Sequence, residues 1–249
     1  MIYHRQHGPD DWTQPARLQL SRDFRLKCAT QRARAAMRVW EQIVDRLIEG
    51  YRRFRSGHWP QERERFEHLA GGQQPRTMVI TCSDSRVDPS MIFDAAPGEM
   101  FIVRNVANLV PPYAPDSAYH GTSAALEFAV RALQVEHIVV LGHAQCGGVR
   151  ALLEGAPPTV SDFVGQWMQI AEPARQRVMA CEHLHDRQLA CEHEVVRLSL
   201  DNLRTFWWVR EALEARRLQL HGCYFGIRSG VLEVLGPNGQ FGPVPEAGA

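Results

Sequence analysis

The chain has 249 residues, 45% of them hydrophobic, which is enough for a sizeable buried core. Its 28 basic and 28 acidic side chains cancel to a formal net charge of zero, which argues against nucleic acid as the main partner. We find no apolar run near the ~18 residues of a membrane helix and no stretch like a signal-peptide core. We therefore expect a cytoplasmic protein, with no membrane contact, whose six cysteines are free thiols or metal ligands.

In chain order the sequence predicts three parts, an N-terminal arm, a single catalytic domain and a C-terminal tail: residues 1–35, 36–240 and 241–249. The arm is polar and lacks a clear periodicity. Within the domain, apolar residues at every third and fourth position predict a helix over 32–55, and a shorter helix follows over 62–69. We expect Gly57 and Pro60 to end the first helix.

Short apolar runs then predict three strands: Thr77–Thr81, Met100–Val103 and His137–Leu141. A helix is predicted over 117–133, several helices over 162–217, and a hairpin from segments 218–225 and 231–235. Apolar runs without alternation indicate strands that are covered on both faces. The predicted fold is α/β, with a mostly parallel central sheet flanked by helices and an antiparallel hairpin at its edge.

Two short motifs 61 residues apart carry the chemistry, Cys82-Ser-Asp84-Ser-Arg86 and His143-Ala-Gln-Cys146-Gly-Gly. Each directly follows a predicted strand, and ligands collect at the carboxyl ends of parallel strands. Two thiolates and one imidazole form a soft donor set that suits zinc and leaves one position open. Arg86 is near enough to keep Asp84 charged, and a helical first turn would put His143 and Cys146 on one face. This combination indicates metal-activated water, and so an enzyme.

Local spacing adds two geometric expectations. Cys82, Asp84 and Arg86 alternate, so an extended backbone would point all three side chains the same way. Gly147 and Gly148 would let the backbone approach the metal without a Cβ clash.

With these motifs the chain resembles the β-class carbonic anhydrases. CSDSRVDP and GHAQCGGV are similar to the two zinc motifs of that family. The resemblance covers roughly Ile43 to Leu235 and includes three further segments: Pro97–Tyr113, Gly121–Val130 and Leu220–Leu235. It implies reversible hydration of CO2 to bicarbonate and a proton by zinc-bound hydroxide.

The resemblance also implies one Zn²⁺ per chain, held by three ligands: Cys82, His143 and Cys146. Asp84 and Arg86 match the catalytic pair of the family. In some members the aspartate binds zinc and closes the site, and the forms that close reversibly carry tryptophan where this chain has Val79. The open, plant-type form is therefore favoured, with Asp84 as a possible fourth ligand in a closed state.

Four residues are expected to bind substrate by the same resemblance: Gln73, Phe101, Phe128 and Gly147. Gln73 would be contributed across the interface of a homodimer or a dimer-based higher oligomer. Phe101 and Phe128 would line the apolar side for CO2. Phe128 stands where plant-type members have tyrosine, so the pocket lacks that hydroxyl.

Several alternatives stay open at the level of sequence. The same scaffold could hydrolyse CS2 or COS, or it could serve as a non-catalytic zinc- or thiol-based regulator. His221 is either a structural residue or a proton relay, and Arg104 either ties loops together or binds a bicarbonate effector. Five residues offer donors for a second metal: Cys181, His183, His185, Cys191 and His193. A helix over this stretch would not place residues two apart on one face, which argues against such a site.

Overall fold

A computed structural model of the chain describes residues 43–160 and 162–245. The predicted arm, 1–35, lies outside the described residues. The described residues fall into two compact units, divided between Glu64 and Arg65. No helix among the described residues is long and apolar enough to cross a membrane. The predicted domain boundaries at 35 and 240 stay predictions.

The described part of the first unit is helical, and Gly57 and Pro60 do not end the helix there, so that prediction was wrong. Helix α1 covers residues 43–53, a π turn covers Phe54–His58, and α2 begins at Trp59 and ends at Leu69. The N–H of Trp59 bonds to the carbonyl of Phe54, which bridges the two helices. Pro60 is the second residue of α2 and follows directly after this π turn.

The described part of the second unit contains six strands: β1 (Thr77–Cys82), β2 (Met100–Asn105), β3 (His137–His143), β4 (Gln219–Phe225), β5 (Leu232–Leu235) and β6 (Phe241–Pro243). Its own helices are α3 (Pro89–Ile92), α4 (Gly121–Glu127), α5 (Gly147–Glu154), α6 (Val164–Met168), α7 (Glu172–Met179), α8 (Arg187–Leu203) and α9 (Trp207–Glu214). The helix predicted over 117–133 begins only at Gly121 and ends in a π turn, Phe128–Ala132.

The strands form one sheet in the order β2-β1-β3-β4-β5-β6. The first four are parallel, and β5 and β6 add antiparallel pairs at one edge. The predicted fold, mostly parallel with an edge hairpin, is confirmed. The sixth strand, Phe241–Pro243, extends the hairpin into the segment that the sequence assigned to the tail.

Helix α8 packs on β3 and β4 and carries much of the core. Ile80, Val140 and Val196 are fully buried in the same cluster, and each such side chain stabilises the fold by roughly 1.5–3 kcal/mol. The approach is so close that a Cβ on Gly142, next to the end of β3, would lie 2.6 Å from Cγ2 of Val196. Only glycine lets α8 come this near to the strand that ends in His143.

The same helix holds the antiparallel edge. His193 of α8 stacks on Phe241 of β6 with ring centroids 4.2 Å apart and meets Tyr224 of β4 edge-on at 4.5 Å. The guanidinium of Arg197 lies 5.1 Å from the ring centroid of Phe241, and its Nη2 donates to the carbonyl of Gly239 at 2.8 Å. Burial lowers the pKa of His193 to about 4, so this ring is neutral at neutral pH.

Candidate metal centre

Both motifs reach the same end of the sheet. Cys82 is the last residue of β1 and His143 is the last residue of the adjacent parallel strand β3. Cys146 follows after a short turn, and its Sγ lies 3.9 Å from Sγ of Cys82. One donor atom from each of the three residues lies within 4.8 Å of the others, and all three residues are buried. This is the one such group of three or more found among residues 43–160 and 162–245.

Backbone N–H groups point at both sulfurs. Ala107 and Asp84 donate to the thiol of Cys82, while Gly148 and Val149, at the start of α5, donate to that of Cys146. The hydrogen bond with Cys146 lowers the pKa of Cys82 to about 4, although burial alone would raise it. The same bond, together with burial, raises the pKa of Cys146. Backbone donors near both sulfurs favour the thiolate, which is the form that binds a metal.

The imidazole of His143 is oriented for a ligand. Its Nδ1 lies 2.9 Å from the carbonyl oxygen of Ala144, an acceptor that assigns the ring proton to Nδ1. Its Nε2 is buried and has no hydrogen-bond partner in the described part of the chain. A buried nitrogen lone pair facing two sulfurs is otherwise costly, so the donor set fits a soft metal cation.

Asp84 lies beside this group and is held by Arg86. Nε of Arg86 donates to Oδ1 at 2.9 Å, and Nη2 donates to Oδ2 at 2.7 Å. These bonds hold the pKa of Asp84 well below its usual range. Oδ2 of Asp84 lies 3.9 Å from Nε2 of His143, so the carboxylate faces the ligand group without joining it.

The backbone that presents Asp84 is a turn, which corrects the expectation of an extended segment through Arg86. The strand ends at Cys82, and the N–H of Arg86 donates to Oδ1 of Asp84 at 3.0 Å. The turn closes with a bond from the N–H of Val87 to the carbonyl of Asp84 at 3.1 Å. The aspartate thus shapes its own loop, and the turn, rather than alternation along a strand, brings Arg86 onto it.

Arg104 fixes the same loop from β2. Its Nε donates to the carbonyl of Cys82 at 2.9 Å, and its Nη2 donates to the carbonyls of Asp84 and Val87, both at 2.7 Å. The side chain therefore ties the strand end to the loop, the first of the two roles that the sequence left open.

The second motif also differs from its expected shape. His143 and Cys146 do not share a helical face, because His143 belongs to β3 and Cys146 precedes α5 with extended backbone angles. Between them Gln145 adopts φ 56°, a left-handed conformation that is unusual for a residue with a side chain. Its carbonyl accepts a 3.1 Å bond from Nη2 of Arg86, so one arginine links the two motifs.

The two glycines after Cys146 have different roles from those predicted. A Cβ on Gly148 would lie 2.8 Å from Cγ1 of Val106 and 3.0 Å from Cβ of Ala107. Its missing side chain thus serves the packing of α5 on the turn Val106–Asn108 rather than access to the metal. A Cβ on Gly147 would meet nothing within 4 Å, and this residue is exposed.

Sequence reasoning missed a buried polar group behind Cys146. Glu192 of α8 is only 3% exposed and accepts a 2.8 Å bond from the N–H of Cys146. Gln188 donates to Glu192 and also to the carbonyl of Cys146, at 2.6 Å and 3.1 Å. Tyr224 of β4 donates to Glu192 at 2.7 Å. The signal in the sequence that could have indicated this buried group is an acidic residue next to the apolar positions of a helix.

Three of the four residues expected to bind substrate, all but Gly147, lie away from the three candidate ligands. Gln73 is exposed in the loop before β1, at the amino end of the sheet. Phe101 is the second residue of β2, and its ring lies 5.9 Å from that of Phe128, which is 48% exposed. Four residues of strand, roughly 13 Å, separate Phe101 from the strand end beside Cys82. Within one chain these three side chains do not surround the metal centre.

The five residues that offered donors for a second metal form no such group in the described part of the chain. Cys181, His183 and His185 are exposed in the loop between α7 and α8, where the sequence predicted helix. Cys191 is buried in α8, and burial raises the pKa of its thiol to about 12. His221 is half-buried, with Nε2 3.1 Å from Nδ1 of His137 on the neighbouring strand.

Comparison with known proteins gives consistent matches over this region. The family model described as carbonic anhydrase matches residues 77–232. β-Carbonic anhydrase 3 of Arabidopsis thaliana is 37% identical over 198 residues, which cover 77% of this chain and 76% of that relative.

Solved structures agree in fold as well as in sequence. The β-carbonic anhydrase CcaA superposes with a TM-score of 0.76 at 33% identity, over 83% of this chain and 94% of its own. A tetrameric β-carbonic anhydrase of Sordaria macrospora gives a TM-score of 0.62 at 29% identity, over 81% and 98% of the two chains. The family-model match, residues 77–232, includes both motifs and helix α8.

Proposed function

Because the chain belongs to the β-carbonic anhydrases, a family of enzymes, we propose that it catalyses the reversible hydration of CO2 to bicarbonate and a proton, with one Zn²⁺ per chain. One observation carries the proposal: Asp84, fixed by Arg86, faces a buried group of two sulfurs and an imidazole nitrogen. A closed structural zinc site usually has four protein ligands, whereas this group has three beside a restrained carboxylate.

Zinc is the metal that best suits these donors. Tetrahedral Zn–S bonds of ~2.3 Å place two sulfurs about 3.8 Å apart, and the two Sγ atoms here are separated by 3.9 Å. Cys82, His143 and Cys146 would hold the ion. The orphaned Nε2 of His143 would supply the nitrogen ligand.

The chemistry that zinc supplies when bound is the activation of water as a nucleophile near neutral pH. Asp84 would accept a hydrogen bond from the reacting water and so direct an oxygen lone pair at the carbon of CO2. Arg86 keeps the pKa of that carboxyl low, so Asp84 remains an ionised acceptor at neutral pH. Both of its oxygens bond to Arg86, which restrains the carboxylate from turning onto the metal.

We further propose that the substrate side of the pocket comes from a second subunit, in a homodimer or a dimer-based oligomer. Gln73, Phe101 and Phe128 lie at the amino side of their own sheet, away from their own metal centre. Such side chains can serve a neighbouring subunit's site. The tetrameric state of the similar Sordaria macrospora enzyme supports an oligomer.

A cytoplasmic location is also proposed. The described residues include five free cysteines, which suit a reducing compartment. Fractionation of cells with an antibody against the chain would test it, and recovery of the chain outside the cytoplasm would contradict it.

Stopped-flow CO2 hydration by the zinc-loaded wild type and by Asp84→Asn tests the main proposal. We expect turnover in the wild type at pH 8.5 and a loss of about 10- to 100-fold in the variant. No turnover in the wild type would refute the proposal, and unchanged turnover in Asp84→Asn would refute only the role of the carboxylate.

The pH profile gives a second test. Turnover should rise between about pH 6.5 and pH 9, because water must lose a proton before it attacks CO2. The depressed pKa of Asp84 removes that carboxyl as the source of the rise. A flat profile over this range would contradict the mechanism.

A further inference from the structure

A carboxyl group lies buried behind the metal centre, and neither the zinc ligands nor the Asp84–Arg86 pair accounts for it. Glu192 is only 3% exposed. Its Oε1 accepts from the N–H of Cys146 at 2.8 Å and from Nε2 of Gln188 at 2.6 Å, while Oε2 accepts from the hydroxyl of Tyr224 at 2.7 Å. All three donors are neutral, and no cationic side chain pairs with Glu192 among residues 43–160 and 162–245.

Gln188 and Glu192 are four residues apart on α8 and therefore lie on one face of the helix. Together they engage both backbone groups of Cys146: Glu192 accepts from its N–H, and Gln188 donates to its carbonyl at 3.1 Å. Two side chains of one helix thus fix the peptide groups on both sides of a single residue, and that residue carries a sulfur of the metal centre.

The loop that carries Cys146 needs such support. It leaves β3 at His143, passes through Gln145 with φ 56°, and enters α5 only at Gly147. Cys146 has extended backbone angles, so its N–H is not part of a helical ladder. The N–H would be an unsatisfied buried donor without Glu192, and the direction of the Cα–Cβ bond that aims Sγ would be free to change.

The fold is built to bring α8 within reach of this loop. Gly142 precedes His143, and its missing side chain allows Val196 to lie against the strand. Tyr224 is the register partner of Gly142 on β4, so the third donor comes from the strand next to β3. The network therefore joins α8, β4 and the loop at the metal centre.

We propose that Gln188 and Glu192 are positioning residues that hold Cys146 in its metal-binding geometry and so set how long the metal stays bound. This rests on the proposed function in so far as zinc occupies the site. The essential property is acceptance of the Cys146 N–H by an oxygen at position 192, which glutamine can also provide. Leucine at that position leaves the N–H of Cys146 and the hydroxyl of Tyr224 without their acceptor.

The experiment measures the rate at which Zn²⁺ leaves the holoenzyme into an excess of a chromogenic chelator. Glu192→Leu should lose zinc about 10- to 100-fold faster than the wild type, the range typical when a group that orients a metal ligand is removed. Glu192→Gln should stay within about threefold of the wild type because it keeps the acceptor oxygen. In Co²⁺-substituted protein, the thiolate charge-transfer band should shift in Glu192→Leu and return in Glu192→Gln.

Asn202→Ala is the matched control. Asn202 lies on the same helix and donates to the carbonyl of Val110 at 2.8 Å, so its loss removes a comparable bond away from Cys146. Its zinc release should equal that of the wild type. A purely structural role for Glu192 predicts that Glu192→Leu and Asn202→Ala lower the melting temperature alike while zinc release stays unchanged.

If Glu192→Leu does not fold, Gln188→Leu provides the same test, because it removes one of the two contacts with Cys146 and should release zinc about three- to tenfold faster. Wild-type release from the folded leucine variant would overturn the proposal, as would Glu192→Gln releasing zinc as fast as Glu192→Leu. The variants could release zinc at the expected rates while the zinc-loaded wild type fails to hydrate CO2. That result would count against the proposed function alone.

Discussion

The two ends of the parallel sheet differ in how fully their side chains are bonded within a single chain. At the carboxyl end, Asp84 bonds to Arg86 through both oxygens, and the buried Glu192 has every acceptor oxygen engaged. At the amino end, Gln73 is exposed in its loop and the ring of Phe128 is 48% exposed. One end holds its geometry through its own contacts, while the other presents side chains that a neighbour can use.

The difference has a physical basis. A metal ligand must be fixed to within a few tenths of an ångström, which requires bonds inside one folded chain. A pocket wall for an uncharged molecule as small as CO2 requires mainly exclusion of water and a few donors, which a second subunit can supply. Each prediction below tests one side of this contrast.

Replacing a ligand at the carboxyl end should have the largest effect. His143→Ala removes Nε2, the buried ring nitrogen that has no hydrogen-bond partner among the described residues. Zinc content should therefore fall far below one per chain, and turnover should fall by at least about a thousandfold. Metal analysis and stopped-flow assays measure both. His185→Ala, in the exposed loop before α8, is the control and should behave as wild type. One tightly held zinc in His143→Ala would refute the ligand assignment.

Releasing the carboxylate should have the next largest effect. Arg86→Ala removes two bonds to Asp84 and one to the carbonyl of Gln145, so we expect a loss of turnover of about 10- to 100-fold with zinc retained. Arg86→Lys should recover little, because an ammonium cannot form the two-pronged contact.

The loss of turnover in Arg86→Ala should be equal at pH 7 and pH 8.5. Without Arg86 the pKa of Asp84 returns toward about 3.9, and the carboxyl still remains ionised at both values. A loss that disappears at the higher pH would show that the arginine controls protonation rather than position.

The amino end is tested by complementation between subunits. Gln73→Ala alone should lower turnover by about tenfold, because it removes one hydrogen-bond donor to the bicarbonate that forms. A hybrid dimer of Gln73→Ala and Asp84→Asn subunits, isolated with two affinity tags, should recover about half of wild-type turnover per chain, since one of its two sites is intact. If Gln73 acts within its own chain, the hybrid will show only the average of its impaired parents.

The smallest effects concern the glycines of the second motif. Gly148→Ala should lower the free energy of unfolding by about 1–3 kcal/mol, because its Cβ would crowd Val106 and Ala107. Gly147→Ala should leave it unchanged or raise it by about 0.5 kcal/mol. Urea denaturation of the two variants measures the difference, and equal stability would contradict the packing role of Gly148.

The activity of Gly147→Ala then becomes informative. A stable variant with reduced turnover would show that substrate comes close to the backbone at Gly147, as the family resemblance implies. Wild-type turnover would remove this residue from the substrate side.

Sequence patterns predicted the sheet and the three candidate ligands because both depend on local signals. Apolar runs of strand length mark β1 to β3, and the ligands follow two of those strands immediately. The motif spacing could not predict the turn at Asp84 or the left-handed Gln145, since both depend on bonds from Arg86 that form only in the fold. Glu192 was missed for a similar reason, because its partner Cys146 is 46 residues away.

The π turn at Phe54–His58 gives the opposite lesson. Gly57 and Pro60 are strong local signals for a helix end, yet a single wider turn accommodates them and the helix continues. Glycine and proline make the hydrogen-bonded ladder of a helix less stable, but the helical residues on both sides can offset this loss of stability.

Helix α8 also constrains how the length of this chain can vary. Its consecutive residues Glu192 and His193 serve different parts of the molecule, one at the loop of Cys146 and the other at the ring of Phe241. One inserted or deleted residue inside the helix would rotate everything beyond it by about 100° and break one attachment or the other. The loop 181–186 just before this helix is exposed and is not held at two places in this way. Insertions and deletions are therefore expected to be tolerated in that loop and rejected within Arg187–Leu203.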